Sequence, residues 1–238
     1  MNILLLDPRD FTHPHTARLQ DSRRCQHILG VHQAEAGSSI RLGVINGLMG
    51  TGRLARLSAD DIIIDDIVLD QPPPAALPLQ LILALPRPKM LKRIFQTVAT
   101  LGVKKLILIN SWRVEKSYWQ TPLLEPDAIR EQLILGLEQG RDTRLPEVIL
   151  EKRFKPFVED RLPGLINNTR ALVAHPYSAA ACPVGVDTAT SLAIGPEGGF
   201  IAWEVEKLQA CGFEAVTLGE RIMRVETAVP YLLGRLFH

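Results

Sequence analysis

Residues 79–85, Leu-Gln-Leu-Ile-Leu-Ala-Leu, form an apolar run with one polar interruption, and a different periodicity follows at once. In residues 89–101, Leu91, Ile94, Phe95 and Val98 recur at helical spacing, with Lys89, Lys92, Arg93 and Gln96 on the other faces. A strand without polar alternation has no face to give to water, so it belongs in a parallel sheet covered on both sides. The alternation continues to the end of the chain. Strands are predicted at 105–109, 147–150, 171–174, 192–194 and 215–218, and helices at 126–139, 202–210 and 226–237. Gly102, Gly140 and Gly212 stand where the helices should stop.

The part before this run reads differently. Strands are predicted at 39–45 and 52–57, and the apolar triplets 62–64 and 67–69 read as strands split by Asp65-Asp66. A short helix is predicted over 21–29. Gly47, Gly50 and Gly52 read as a turn. Pro72-Pro73-Pro74 can continue neither a helix nor a central strand, and marks a semi-rigid spacer. The expectation is a small β-rich domain over 1–70 and an α/β domain with a parallel sheet over 75–238.

Composition excludes several classes. Across 238 residues the formal net charge is +1, so any nucleic-acid contact must come from local patches. The three cysteines, Cys25, Cys182 and Cys211, are widely separated and form no C-x-x-C pair. That argues against a disulfide scaffold or a structural zinc, and for a reduced, cytoplasmic setting. No apolar run of roughly 18 residues suggests a membrane span. His13-Pro14-His15 lacks the further ligands a metal would need, so no metal is expected.

No glycine-rich phosphate loop of either common type follows a strand. What stands out instead is a pair of segments near the C-terminus. One is Ile194-Gly195-Pro196-Glu197-Gly198-Gly199-Phe200, where proline fixes one φ and glycines allow conformations other residues resist. The other is Leu218-Gly219-Glu220-Arg221-Ile222-Met223-Arg224-Val225-Glu226-Thr227-Ala228. Each follows a predicted strand and precedes a predicted helix. Two such loops at adjacent strand ends can present backbone N–H and C=O groups to a small ligand. In this reading Glu226 suits the start of the last helix, and Arg224 and Glu226 could simply cap and pair there. His175, at another strand end, reads as packing or as a second contact.

These segments resemble the signature of the bacterial 16S ribosomal RNA uridine-N3 methyltransferases, members of the SPOUT superfamily. The likeness extends upstream, to residues 81–86 and 101–103 and to Glu138-Gln139-Gly140-Arg141-Asp142-Thr143-Arg144-Leu145-Pro146-Glu147-Val148. The resemblance covers most of 79–238. It implies a SPOUT-type knotted parallel-sheet methyltransferase domain preceded by a small PUA-like β-barrel that holds RNA. It also implies S-adenosylmethionine (SAM) as cofactor and a homodimer with its interface beside the site. Carried onto this chain, the cofactor residues are Ala174, Gly195, Pro196, Gly198, Leu218, Gly219, Ile222, Met223 and Arg224.

The chemistry so implied needs an acidic uracil N3–H to lose its proton as the methyl arrives. Arg224 is the candidate cation for the developing charge, Glu226 the candidate base or orienter, and Thr227 a hydrogen-bond partner. Arg23, Arg24, Lys89, Arg93, Arg141 and Arg144 are the candidate RNA contacts, within two arginine- and lysine-rich patches. The chain departs from the family at Val31-His32-Gln33 and Gly37-Ser38, where the family has V-L-R and G-D. It departs again at Asn110-Ser111-Trp112-Arg113-Val114-Glu115-Lys116, where the family shows Ser/Thr-Glu-Arg-Ser. The expected reaction is N3 methylation of one uridine in the 16S RNA of the small ribosomal subunit. Another RNA position, a ribose 2′-hydroxyl, or a non-catalytic ribosome-assembly role stand beside it as alternatives.

Overall fold

A computed structural model describes residues 2–31, 35–177 and 179–237. His32 and Gln33, part of one departure noted above, lie outside the described residues. The chain divides into two compact units. One comprises the chain up to Ala75 together with Ile134–Leu145, the other Ala76–Leu133 together with the chain from Pro146 onward.

The first unit is built on a six-stranded sheet. Its strands are β1 (Leu4–Leu6), β2 (Phe11–His13), β3 (Thr16–Leu19), β4 (Ser39–Val44), β5 (Met49–Leu57) and β6 (Ile62–Gln71), in the order β1-β4-β5-β6-β3-β2. Only the β1–β4 pair is parallel. Helix α1 (Ser22–Val31) adds Cys25 and Ile28 to a core of Leu4, Leu6, Leu19, Leu42, Leu54, Ile62 and Ile64. Asp65-Asp66 does not split the last strand as the sequence suggested. Asp66 takes φ +50°, the register shifts between Thr51 and Arg53, and Arg53 holds both carboxylates at 2.9 Å, so the irregularity is absorbed within β6. Nor is 47–52 all turn: Gly50 and Gly52 lie inside β5. A Cβ on Gly50 would sit 1.8 Å from the Val68 carbonyl oxygen, so glycine is what permits the close strand pairing.

Ile134–Leu145 is held to this unit by hydrogen bonds. The Glu138 carbonyl accepts the Asn2 and Ile3 amides at 2.9 and 3.3 Å, Thr143 Oγ1 donates to the Gly47 carbonyl at 2.5 Å, and the Glu138 carboxylate pairs with Arg23 at 3.0 Å.

The second unit is built on a seven-stranded, wholly parallel sheet. Its strands are β7 (Leu79–Ala84), β8 (Lys105–Ile109), β9 (Glu147–Glu151), β10 (Arg170–Ala174), β11 (Ala180–Ala181), β12 (Thr190–Ile194) and β13 (Glu214–Thr217). Their order is β11-β13-β10-β12-β7-β8-β9. Every residue of β7 and β12 is buried, as an apolar run without alternation requires.

Helix α2 (Pro88–Thr100) buries Leu91, Ile94, Phe95 and Val98, and Gly102 follows at φ +81°. Helix α3 (Pro126–Gly140) includes Gly140. The residue that turns left-handed is Arg141, at φ +55°, so the helix stops one residue later than its glycine suggested.

No periodicity announces the helical stretch after β9. It runs through a short turn α4 (Phe154–Pro156), a π-helical turn (Phe157–Arg161) and α5 (Leu162–Ile166), despite Pro156 and Pro163. Helices α6 (Ala202–Ala210) and α7 (Val225–Phe237) complete the fold, with Gly212 at φ +101° closing the turn after α6.

Candidate functional site

The register of the parallel sheet sets the site. Ala174 at the end of β10 lies opposite Ile194 of β12 on one side and Val216 of β13 on the other. Three strands therefore end at one level, and the chain leaves each of them into a loop. Such a row of carboxyl ends is where an open α/β sheet offers a crevice.

A cavity of about 270 Å³ occupies the crevice. Ala174, His175, Pro176 and Tyr177 come from the first loop, and Ile194 with Gly195–Gly199 from the second. Val216–Gly219 with Arg221, Ile222 and Met223 come from the third. Val225, Ala228 and Leu232 of α7 complete it, and Arg113 reaches in from the connection after β8.

Local geometry explains the glycines and proline. The Gly199 amide donates to the Pro196 carbonyl at 2.7 Å, closing a turn, with Gly199 at φ +71°. A Cβ on Gly195 would approach the Phe200 nitrogen to 2.7 Å, so the loop folds back on itself only without a side chain there. Gly219 takes φ +108°, and Thr217 Oγ1 both donates to its carbonyl at 3.1 Å and accepts its amide at 3.3 Å.

The second loop is also tied to its neighbours. Glu197 Oε1 accepts the Arg87 amide at 2.9 Å, and the Arg113 guanidinium donates to the Gly198 carbonyl.

His175 differs from the residue type around it. Its Nδ1 is buried and has no hydrogen-bond partner among the described residues. Burial pushes its imidazole below the ordinary histidine range. Its ring meets Tyr177 edge-on at 5.8 Å. His175 thus stands on the cavity wall as a neutral imidazole whose Nδ1 is shielded from water.

Of the residues singled out for a cofactor, Ala174, Gly195, Pro196, Gly198, Leu218, Gly219, Ile222 and Met223 line this cavity. Arg224 does not. Its carbonyl accepts the Thr227 and Ala228 amides at 3.0 and 2.8 Å, which starts α7, and its side chain is exposed. Glu226 and Thr227, on the first turn of that helix, are also off the lining, half-buried and exposed respectively. Arg113, Tyr177, Thr217 and Arg221 line the cavity without having been singled out for it. Tyr177 and Thr217 were reachable by extending the loops by one or two residues, and Arg221 lies inside the second segment. For Arg113 no spacing signal existed, because 85 residues separate it from Gly198.

The basic residues divide. Lys89 and Arg93 are exposed on α2, and Arg141 is exposed after α3. Arg24 is committed internally: two bonds to Asp10, at 2.6 and 3.0 Å, and one to the Leu5 carbonyl. Arg23 pairs with Glu138, and Arg144 donates to the Pro74 carbonyl. Arg18, Arg53 and Arg56 likewise face carboxylates.

His15, from the His-Pro-His stretch, meets the Ile67 carbonyl through Nδ1 at 2.8 Å. Among the described residues there is no cluster of three or more His, Cys, Asp or Glu placed to hold a metal, and no helix is long and apolar enough to cross a membrane.

Comparison with known proteins agrees with this architecture. A family model described as an RNA methyltransferase domain matches residues 73–237. A curated relative, the ribosomal RNA small subunit methyltransferase E of Treponema pallidum, is 30% identical over 96% of this chain and 87% of its own. Among solved structures, a ribosomal RNA small subunit methyltransferase E from Neisseria gonorrhoeae, bound to S-adenosyl methionine, matches with a TM-score of 0.72. It is 21% identical and the match covers 97% of this chain and 95% of that one. A methyltransferase from Legionella pneumophila in complex with SAM matches with a TM-score of 0.74 at 22% identity, over 98% and 96% of the two chains. The expected fold, a SPOUT-type parallel-sheet domain preceded in the chain by a small barrel-like β domain, is the one found. With the family model matched from the proline spacer through α7, and a full-length relative beside it, this chain belongs to the RNA methyltransferase domain family.

Proposed function

We propose that this protein is a SAM-dependent methyltransferase that modifies N3 of one uridine in the 16S RNA of the small ribosomal subunit. The observation that carries the proposal is the cavity at the level ends of β10, β12 and β13, walled by three loops inside the part of the chain that matches the RNA methyltransferase domain. The names of the relatives supply the substrate class.

The residues present fit the cofactor. Ile194, Val216, Leu218 and Leu232 offer apolar surface for a purine, and the glycine-rich turns expose backbone polar groups to its edge. The absence of room for a Cβ at Gly195 holds the second loop folded on Phe200, and His175 stands on the same cavity wall. Ala174, Gly195, Pro196, Gly198, Leu218, Gly219, Ile222 and Met223 would hold the group. When bound, it supplies an electrophilic methyl on a sulfonium.

The chain's own residues supply the rest. Holding the uracil nitrogen in line with the methyl removes much of the barrier by orientation alone. Arg224, next to Met223 on the cavity wall, stabilises negative charge that develops on the uracil carbonyl oxygens. Glu226 takes or orients the N3 proton, and Thr227 hydrogen-bonds beside it. All three lie at the start of α7, just off the cavity lining, on a surface where RNA and a second copy of the chain meet the cofactor. The protein acts as a homodimer in the cytoplasm. Residues 1–70 act as a PUA-like RNA-holding domain and 75–238 as the catalytic one. Exposed Lys89, Arg93 and Arg141 contribute the positive field, while Arg23, Arg24 and Arg144 are engaged by Glu138, Asp10 and the Pro74 carbonyl.

The test is methyl transfer to small subunits isolated from cells lacking the modification, with methyl-labelled SAM and analysis of the digested nucleosides. Label is expected in 3-methyluridine. Label in another nucleoside or on a ribose oxygen would remove the N3 assignment, and SAM binding without any transfer would remove the enzymatic one.

A further inference from the structure

A second opening, about 500 Å³, is built from segments that follow the carboxyl ends of β8, β9 and β12. They are the connection after β8, the start of the helical stretch after β9, and the start of α6. Asn110, Ser111, Trp112, Phe154, Trp203 and the two lysines Lys116 and Lys155 line it.

Three features distinguish this cleft from an incidental groove. First, Trp112 is 79% exposed and Trp203 43% exposed, so two indoles on the wall of one opening face water with no core to fill. Phe154 packs against Trp203 with ring centroids 5.9 Å apart and backs the wall.

Second, the backbone beneath Trp112 is fixed although its ring is not. Glu204, 2% exposed, accepts the Trp112 amide through Oε1 at 2.8 Å and the Ile201 amide through Oε2 at 3.0 Å. A buried carboxylate thus pins two loops and presents the indole from a rigid base.

Third, Ser111 is 3% exposed, and its Oγ has no hydrogen-bond partner among the described residues. A buried hydroxyl without a partner on the wall of a cleft is a place for a ligand's polar edge.

We propose that this cleft binds one unpaired nucleotide of the RNA strand, its base stacked on Trp112, its phosphate between Lys116 and Lys155, and a polar base atom on Ser111 Oγ. The combination selects this occupant. Every base has a face to stack, the lysines match a phosphate, and the hydroxyl asks for a hydrogen bond that an apolar partner could not give. Arg113, the residue after Trp112, lines the cofactor cavity, so the nucleotide held here flanks the one that is methylated. The inference deepens the proposed function and rests on it for the identity of the polymer.

The test is fluorescence anisotropy of a short, dye-labelled single-stranded oligouridine titrated with full-length protein. In parallel, SAM affinity is measured by calorimetry on the same preparations. Trp112→Ala is expected to weaken RNA binding roughly ten- to hundredfold, the range for one lost stacking contact. Trp112→Phe, which keeps a face to stack on, is expected to recover most of it. The double variant Lys116→Gln, Lys155→Gln is expected to weaken binding and flatten its salt dependence. SAM affinity is expected to stay unchanged in all three.

RNA affinity unaltered by Trp112→Ala overturns the proposal. So does a Trp112→Phe variant as weak as the alanine one, or a loss of SAM affinity with Trp112→Ala. Wild-type protein that binds no SAM would defeat the proposed function instead, while the oligouridine titration would still decide the cleft.

Discussion

Arg24 and Asp10 meet fork to fork, Nη1 to Oδ2 at 2.6 Å and Nη2 to Oδ1 at 3.0 Å, with both side chains largely shielded from water. Burial works against the charge on Arg24, yet the hydrogen bonds and attraction from Asp10 outweigh it and hold the guanidinium above its ordinary range. Truncating one partner leaves the other charge buried and unpaired. Arg24→Ala is expected to destabilise the protein by about 2 kcal/mol, read as a lower urea midpoint. Weaker RNA binding at unchanged stability would instead place Arg24 among the phosphate contacts.

Gly50 stands where β5 and β6 approach most closely. Its missing Cβ would lie 1.8 Å from the Val68 oxygen, a backbone atom that cannot swing aside. Gly50→Ala is therefore expected to lose about 3 kcal/mol of stability, at the upper end for overpacking. A urea midpoint within error of wild type would mean that the β5–β6 pairing is looser than described.

Gly195→Ala tests the cavity rather than the core. The added methyl would press on the Phe200 nitrogen at 2.7 Å and open the turn that shapes the second loop. Affinity for SAM is expected to fall more than tenfold in calorimetry, with far-ultraviolet circular dichroism unchanged. Unchanged affinity would move the cofactor elsewhere.

His175 gives the site a dependence on acidity. Burial holds its folded-state value below the ordinary 6.5, so the unfolded chain binds a proton that the folded chain resists. The stability of the neutral ring is fully present above about pH 6.5 and is lost as pH falls from there through the lower folded value. Arg113, Arg221 and Glu197 share the cavity wall, so the comparison is made between two proteins differing only at this ring. Between about pH 7 and about pH 5 the melting temperature of wild type is expected to drop more steeply than that of His175→Asn. Parallel curves would show that the ring is solvated in the folded protein.

Much of the second unit was legible because its signals are local. Leu79–Ala84 is apolar throughout, and Gly102 and Gly212 each turn left-handed where a helix must end. What stayed hidden was set by distant partners. Leu4–Leu6 and Ala180–Ala181 are too short to carry a period, and each is a strand only because another strand receives it. Pro156, Pro163 and Gly164 look like breakers, yet the chain coils through them by widening one turn to a π-helix.

In the site, the glycine and proline turns announced themselves, since few other residues adopt such backbone. The aim of the first turn of α7 did not: Arg224, Glu226 and Thr227 fall beside the cavity, and only three-dimensional packing decides that. The Trp112 cleft was equally invisible, because it gathers residues from three separate strand ends.

The return of Ile134–Leu145 to the first unit has a practical consequence for anyone dividing this gene. A fragment cut at Pro72–Pro74 would lack the carbonyl that receives Asn2 and Ile3, the carboxylate that faces Arg23 and the hydroxyl that closes on Gly47. On the ribosome, too, those contacts must wait until Thr143 has left the exit tunnel. The proline spacer looks like a seam, but the N-terminal unit is finished only by residues made long after it.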